Sequence, residues 1–250
     1  MTPAPLAEIF ASFQGEGPLV GARQVFVRLR GCDLTCVYCD TPAARDLAGA
    51  CRVQSEPGAD AWLEIQSPAT ADEVAAHVRR LAEPAEHTHS VAITGGEPLL
   101  YPRFVSELAR ELRAAGLPVW LESAGHLPDA LGAVVDELDF VSLDYKLPST
   151  LRHPVPEELF VRSAKIAGDK CVAVKAVVLE STPDRELQRA AVLLKEEGFR
   201  APLVLQPATP MDADRAAPTE EKLHRLYEIA RRRLSDVRVI PQCHRVMGVR

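Results

Sequence analysis

Apolar positions along this chain follow two alternating rhythms. Short runs rich in β-branched residues occupy 24–29, 90–94, 119–122, 140–144, 172–178, 203–206 and 237–240, and each reads as a strand. Between them the apolar positions return every three or four residues, as on one face of a helix. In 70–83 that face carries Val74, Val78 and Leu81, and in the segment ending at Gly116 it carries Phe104, Leu108 and Leu112. Further helices are expected over 129–138, 156–166, 183–197 and 219–234. Thr182 and Pro183 read as the N-cap and first helical position of the third of these, and Gly198 as its stop. Strands that alternate with helices imply parallel strands joined by right-handed crossovers, so the fold class is α/β.

Several of these strands end in residues with chemical potential: Thr94 with Gly95, Gly96 and Glu97, then Glu122, Ser142 with Asp144, and Gln206. Ligands of parallel α/β folds gather at the C-terminal ends of the strands, which puts these residues around one common site. Lys175, inside its strand, more often belongs to a solvent-facing position. The stretch 43–67 breaks the rhythm with several prolines and glycines and is expected to be a loop insertion, either covering the site or running over the surface.

Length and composition narrow the class. The chain has 250 residues, 47% hydrophobic and 26% charged, enough for a full core without disulfides or a structural metal. A formal net charge of -6, with both signs interleaved, provides no positive field for nucleic acid. The Arg231 to Arg233 run fits the solvated end of a helix. No apolar stretch is long enough to span a bilayer, and the first residues do not resemble a leader, so the expected location is the cytoplasm. Six cysteines, three of them clustered, fit reduced thiol ligands better than a disulfide framework.

The cluster is Cys32, Cys36 and Cys39 within GCDLTCVYCDT. Soft thiolates this close together suit zinc or an iron–sulfur cluster, and zinc would require a second Cys or His pair that the sequence does not present at a convincing spacing. The Cys-x-x-x-Cys-x-x-Cys spacing, with Tyr38 before the last cysteine and ITGGEP following the next strand, resembles the radical S-adenosylmethionine signature. Beyond it, FQGEG (residues 13–17), Arg28, the Cys39-Asp40-Thr41 run, Glu122, QP at Gln206 and QCH ending at His244 are similar to the 7-carboxy-7-deazaguanine synthase family, nearly end to end.

That resemblance implies an open, partial TIM-like barrel of about six βα units. It also implies a [4Fe–4S] cluster held by Cys32, Cys36 and Cys39, with S-adenosylmethionine on the fourth iron and Mg2+ at Thr41, for which Asp40 is the rival. The implied reaction turns 6-carboxy-5,6,7,8-tetrahydropterin into 7-carboxy-7-deazaguanine and ammonia, by hydrogen abstraction and ring contraction, in queuosine or other 7-deazapurine biosynthesis. Substrate would meet Phe13, Gln14, Gly15, Thr94, Glu122 and His244, with Arg28 on its carboxylate and the end of the chain at Arg250 turned inward. A surface ion pair between Glu16 and Arg28 is the alternative for those two residues. Gly96, Glu97, Ser142, Asp144, Lys146, Lys175 and Gln206 would serve S-adenosylmethionine. The sequence reads SLDYKLPS where the family commonly has Ser-Pro-Lys, which leaves the ribose contacts open. An external one-electron donor and a homodimer complete the expectation. The competing functions are a glycyl-radical-enzyme activating protein and a noncatalytic iron–sulfur or zinc scaffold.

Overall fold

The computed structural model describes residues 1–209 and 216–250. Among them one sheet of ten strands has the order β10-β9-β8-β7-β6-β5-β2-β1-β3-β4. The strands are β1 (Leu6–Phe13), β2 (Arg23–Leu29), β3 (Cys51–Gln54), β4 (Trp62–Ile65), β5 (Ser90–Gly95), β6 (Val119–Ser123), β7 (Phe140–Asp144), β8 (Cys171–Val178), β9 (Leu203–Pro207) and β10 (Val237–Val239). From β2 through β5 to β10 every neighbouring pair is parallel. The helices are α1 (Ala71–Ala82), α2 (Pro102–Ala114), α3 (Pro128–Gly132), α4 (Glu157–Ala167), α5 (Asp184–Glu196), α6 (Glu220–Arg231) and α7 (Cys243–Met247). The sheet is not closed. Its parallel run, with one crossover helix between each pair of strands, is the partial barrel expected.

Alternation along the strands sorts side chains onto two faces. Val25, Val27, Val91, Ile93, Val119, Leu121, Val141, Leu143, Val174 and Leu205 join one large core cluster with Val74, Val78, Phe104, Leu108 and Leu112 of the helices. The opposite face begins with a second, small cluster of Phe10, Phe26, Ala92 and Trp120, side by side in the sheet register. Two residues further along the same strands stand Arg28, Thr94 and Glu122. An apolar floor therefore lies under a polar rim, and the rim holds the chemistry.

Three local expectations change. The stretch 43–67 is not loop throughout: β3 pairs in parallel with β1 and antiparallel with β4, extending the sheet past the barrel strands. Strands of four residues flanked by Pro57 and Gly58 are too short to show a period. Antiparallel β1 carries inward Glu8 and Ser12 and so has no continuous apolar run. The start of α5 is also displaced: Thr182 Oγ1 accepts from Leu179 N at 2.8 Å, closing the preceding turn, while Pro183 takes the cap position. Thr219 does cap α6, accepting from Lys222 N at 3.2 Å.

Candidate active site

A single open cleft, with about 1310 Å3 of empty space including its mouth, collects most of the residues singled out from the sequence. Phe13, Gln14, Gly15, Arg28, Cys32, Cys36, Cys39, Asp40, Thr41, Thr94, Gly96, Glu122, Asp144, Lys146, Lys175, Gln206, His244 and Arg250 all line it. Glu97 and Ser142 do not.

The cysteine loop leaves β2 and is pinned to β5 by main-chain bonds. Gly96 N donates to Leu29 O at 3.1 Å, and Glu97 N to Gly31 O at 2.8 Å. Gly95 has φ +135, and a Cβ on Gly96 would stand 1.9 Å from Gly31 O, so both glycines are required by backbone conformation and close approach. Glu97 is buried beneath this contact. Its Oε1 accepts from Leu99 N at 3.0 Å and Ser123 Oγ at 2.9 Å, and its Oε2 from Ala124 N at 2.9 Å. Burial raises its carboxyl pKa against those bonds. Glu97 thus ties the β5 and β6 loops together, while the Gly95–Gly96 backbone faces the cleft.

The three thiols open onto the same space from a half-buried loop. Burial, with nearby Glu97, raises Cys32 to about 11, and burial raises Cys36 as well, so these thiols are protonated at neutral pH until a metal displaces the protons. Among the described residues no three His, Cys, Asp or Glu side chains converge to hold a single metal ion. A cubane cluster spreads its thiolates over separate irons and does not need such convergence. The donor set, three soft thiols beside an open cleft, fits a [4Fe–4S] cluster.

Polar residues from six strands and the chain's last turn interlock around the rest of the cleft. Glu122 accepts from Gln14 Nε2 at 3.0 Å and from Thr94 Oγ1 at 2.8 Å. Gln14 also donates to Gln24, which donates to Ser90. Beyond Glu122 runs an alternating line of charge: Lys146 Nζ lies 2.8 Å from Asp144, Lys175 Nζ 3.2 Å from the same carboxylate, and Lys175 also bonds Glu16. Burial alone would raise the Glu16 carboxyl, but the charge of Lys175 and bonds from Lys175, Gln242 and Gln206 lower it to about 2. Burial works against both lysine charges, and Asp144 overcomes it, raising Lys146 and Lys175 above the ordinary lysine value. Lys175 is therefore not a solvent-facing strand lysine. Nor do Glu16 and Arg28 pair: Arg28 Nε donates to Glu8 Oε1 at 2.9 Å.

Gln242 bridges the two halves, donating to Glu16 Oε1 at 2.9 Å and to Asp40 Oδ2 at 2.8 Å, while Thr209 donates to its carbonyl oxygen at 2.5 Å. His244 packs so tightly on Gly15 that a Cβ there would meet its ring at 2.3 Å. Gln242 opens the QCH motif without a role assigned to it there, whereas the roles of Gln24, Ser123, and of the pair formed by His126 Nε2 and Asp33 at 2.9 Å, are not apparent from motifs. Gln24 alone carries a usable signal, because alternation with Val25 and Val27 places a polar side chain on the inner face.

The partial barrel and its thiol-lined cleft define a class, and residues 26–155 match the radical SAM superfamily, whose members use a [4Fe–4S] cluster and S-adenosylmethionine. The chain is 41% identical to the 7-carboxy-7-deazaguanine synthase of Geobacter sulfurreducens, over 98% of this chain and 97% of that one. It is 35% identical to the 7-carboxy-7-deazaguanine synthase of Methanothermobacter thermautotrophicus, over 99% and 98%. Its fold is shared with the crystal structure of QueE from Escherichia coli, with a TM-score of 0.61 at 21% identity, covering 97% of this chain and 95% of that chain. The chain belongs to the 7-carboxy-7-deazaguanine synthase family of radical SAM enzymes.

Proposed function

We propose that this enzyme converts 6-carboxy-5,6,7,8-tetrahydropterin into 7-carboxy-7-deazaguanine and ammonia. One observation carries the reading most directly: Gln14, Thr94 and Glu122, which together offer amide, hydroxyl and carboxylate groups, stand in one cleft with Arg28 and the three thiols. A pterin edge alternates donors and acceptors, which such a set can pair, and its carboxylate suits a guanidinium. Phe10 and Phe26 supply an apolar floor for the flat ring.

Cys32, Cys36 and Cys39 would hold the cluster, which when bound supplies the electron that cleaves S-adenosylmethionine and starts radical chemistry. The Gly95–Gly96 backbone and the Asp144, Lys146 and Lys175 line are the groups placed to bind S-adenosylmethionine. Thr41 is favoured over Asp40 as the Mg2+ ligand: its side chain makes no cap bond to the following turn (Pro42–Arg45), whereas Asp40 Oδ2 is engaged by Gln242. A single hydroxyl joined by substrate carboxylate and water suits magnesium. An external electron donor and a homodimer rest on the resemblance. Among the described residues no helix is long and apolar enough to cross a membrane.

The test is anaerobic incubation of cluster-reconstituted protein with S-adenosylmethionine, a reductant and the carboxytetrahydropterin. The expected result is 7-carboxy-7-deazaguanine. Formation of 5'-deoxyadenosine without any deazapurine would overturn the substrate assignment and leave only the superfamily chemistry.

A further inference from the structure

The β3–β4 hairpin is the part of the fold that the proposed reaction leaves unused. Its pairing with β1 brings Trp62 to within 6.4 Å of Phe10, ring centre to ring centre. Two guanidiniums flank the indole, Arg52 at 4.6 Å and Arg250 at 4.4 Å from its centre. Arg250 reaches on into the site. Its Nη1 donates to Glu8 Oε2 at 2.5 Å, and its main-chain oxygen accepts from Ser12 Oγ at 2.8 Å.

Glu8 is therefore shared: Oε2 takes Arg250, and Oε1 takes Arg28 Nε at 2.9 Å. Both arginines line the cleft. Glu8 is the one side-chain carboxylate that the two guanidiniums share, and among the described residues Arg28 makes no side-chain hydrogen bond besides that from Nε. Its two Nη groups remain available for a second anion. Stacking on an aromatic face restrains a long arginine side chain before any ligand arrives, which reduces the ordering cost of binding.

We propose that Trp62 is a positioning residue that holds the Arg250 guanidinium beside Arg28, so that the two arginines together select a carboxylate-bearing ligand. The hairpin is then a specificity device anchored outside the barrel. This inference rests on the pterin reading above, and deepens it by assigning recognition of the carboxylate to an arginine pair and its support to the insertion.

The test measures dissociation constants in the cluster-loaded enzyme with S-adenosylmethionine present, for 6-carboxytetrahydropterin and for tetrahydropterin lacking the carboxylate. Trp62→Leu keeps apolar bulk without a ring, Trp62→Phe keeps a smaller aromatic face, and Arg250→Ala removes the guanidinium. Trp62→Leu and Arg250→Ala are each expected to weaken the carboxylated pterin about tenfold. Binding of the uncarboxylated pterin and of S-adenosylmethionine should be unchanged. Trp62→Phe should recover most of the loss, and the double variant Trp62→Leu, Arg250→Ala should bind no worse than Arg250→Ala, because Trp62 acts through Arg250. Equal loss for both pterins, additive losses in the double variant, or wild-type affinity in Arg250→Ala and Trp62→Phe alike with no carboxylate preference would each overturn the proposal while the reaction stands. Should Trp62→Leu fail to fold, Trp62→Phe and Arg250→Ala decide the matter. A wild-type enzyme that does not bind the carboxylated pterin would remove the substrate reading and this proposal with it.

Discussion

Glu16 shows how a short motif residue acquires its role from distant partners. It follows Gln14 and Gly15 in sequence, yet it is held by Lys175, Gln206 and Gln242. Because its carboxyl falls from 4.5 to about 2 on folding, it stabilises the native state fully above pH 4.5, and that contribution is lost as pH falls through about 2. Glu16→Gln should cost ~3 kcal/mol near neutrality, because it leaves Lys175 incompletely compensated. Urea titrations at a series of pH values should show the gap to wild type narrowing below pH 4.5. At the β5 loop the limit is steric. Gly96→Ala would drive a methyl into Gly31 O, so isothermal titration should show S-adenosylmethionine affinity falling at least tenfold in a protein that remains folded.

At the scale of elements, the parallel strands and their helices lie where the apolar rhythm places them, within a few residues, except that the helix expected over 129–138 ends as α3 at Gly132 and is followed by a separate 3-10 turn at Val135–Glu137. The strand expected over 140–144 coincides with β7, and the helix face of Phe104, Leu108 and Leu112 is wholly buried in α2. Leu108→Ala should accordingly lower stability by about 2–5 kcal/mol in urea unfolding, with little effect on S-adenosylmethionine binding. The elements missed are those whose pattern depends on partners. β1 breaks its apolar run because Glu8 and Ser12 share the Phe10 face, where they bond Arg28 and Arg250. β3 and β4 are four-residue strands stabilised by pairing with β1 and each other. α5 begins one residue later than its sequence suggests because the Thr182 hydroxyl serves the preceding turn.

At the scale of the whole molecule, the large core lies between the sheet and its helices, and the three cluster cysteines stand outside it. The fold therefore has its own stabilising core independent of iron. A variant with Cys32, Cys36 and Cys39 all replaced by Ala should lose the visible absorption of the cluster and all product formation. Its far-ultraviolet circular dichroism and cooperative thermal transition should remain. Loss of the transition would mean that cluster assembly and folding are coupled.

What the sequence determined by itself is local and periodic. The alternation of strands and helices, the cysteine spacing, and the residues at strand ends follow from short-range pattern, and with the family resemblance they locate one cleft. Tertiary structure alone decided which side chains meet within it. Glu97 and Gly96 are neighbours in sequence, but one is sealed beneath the loops and the other opens onto the cleft. Arg28 pairs with Glu8 instead of Glu16, and Lys175 is buried between Asp144 and Glu16. Trp62 reaches Arg250 across most of the chain. Charge pairing and stacking depend on distances in space, and sheet register sets those distances between residues that the sequence keeps far apart.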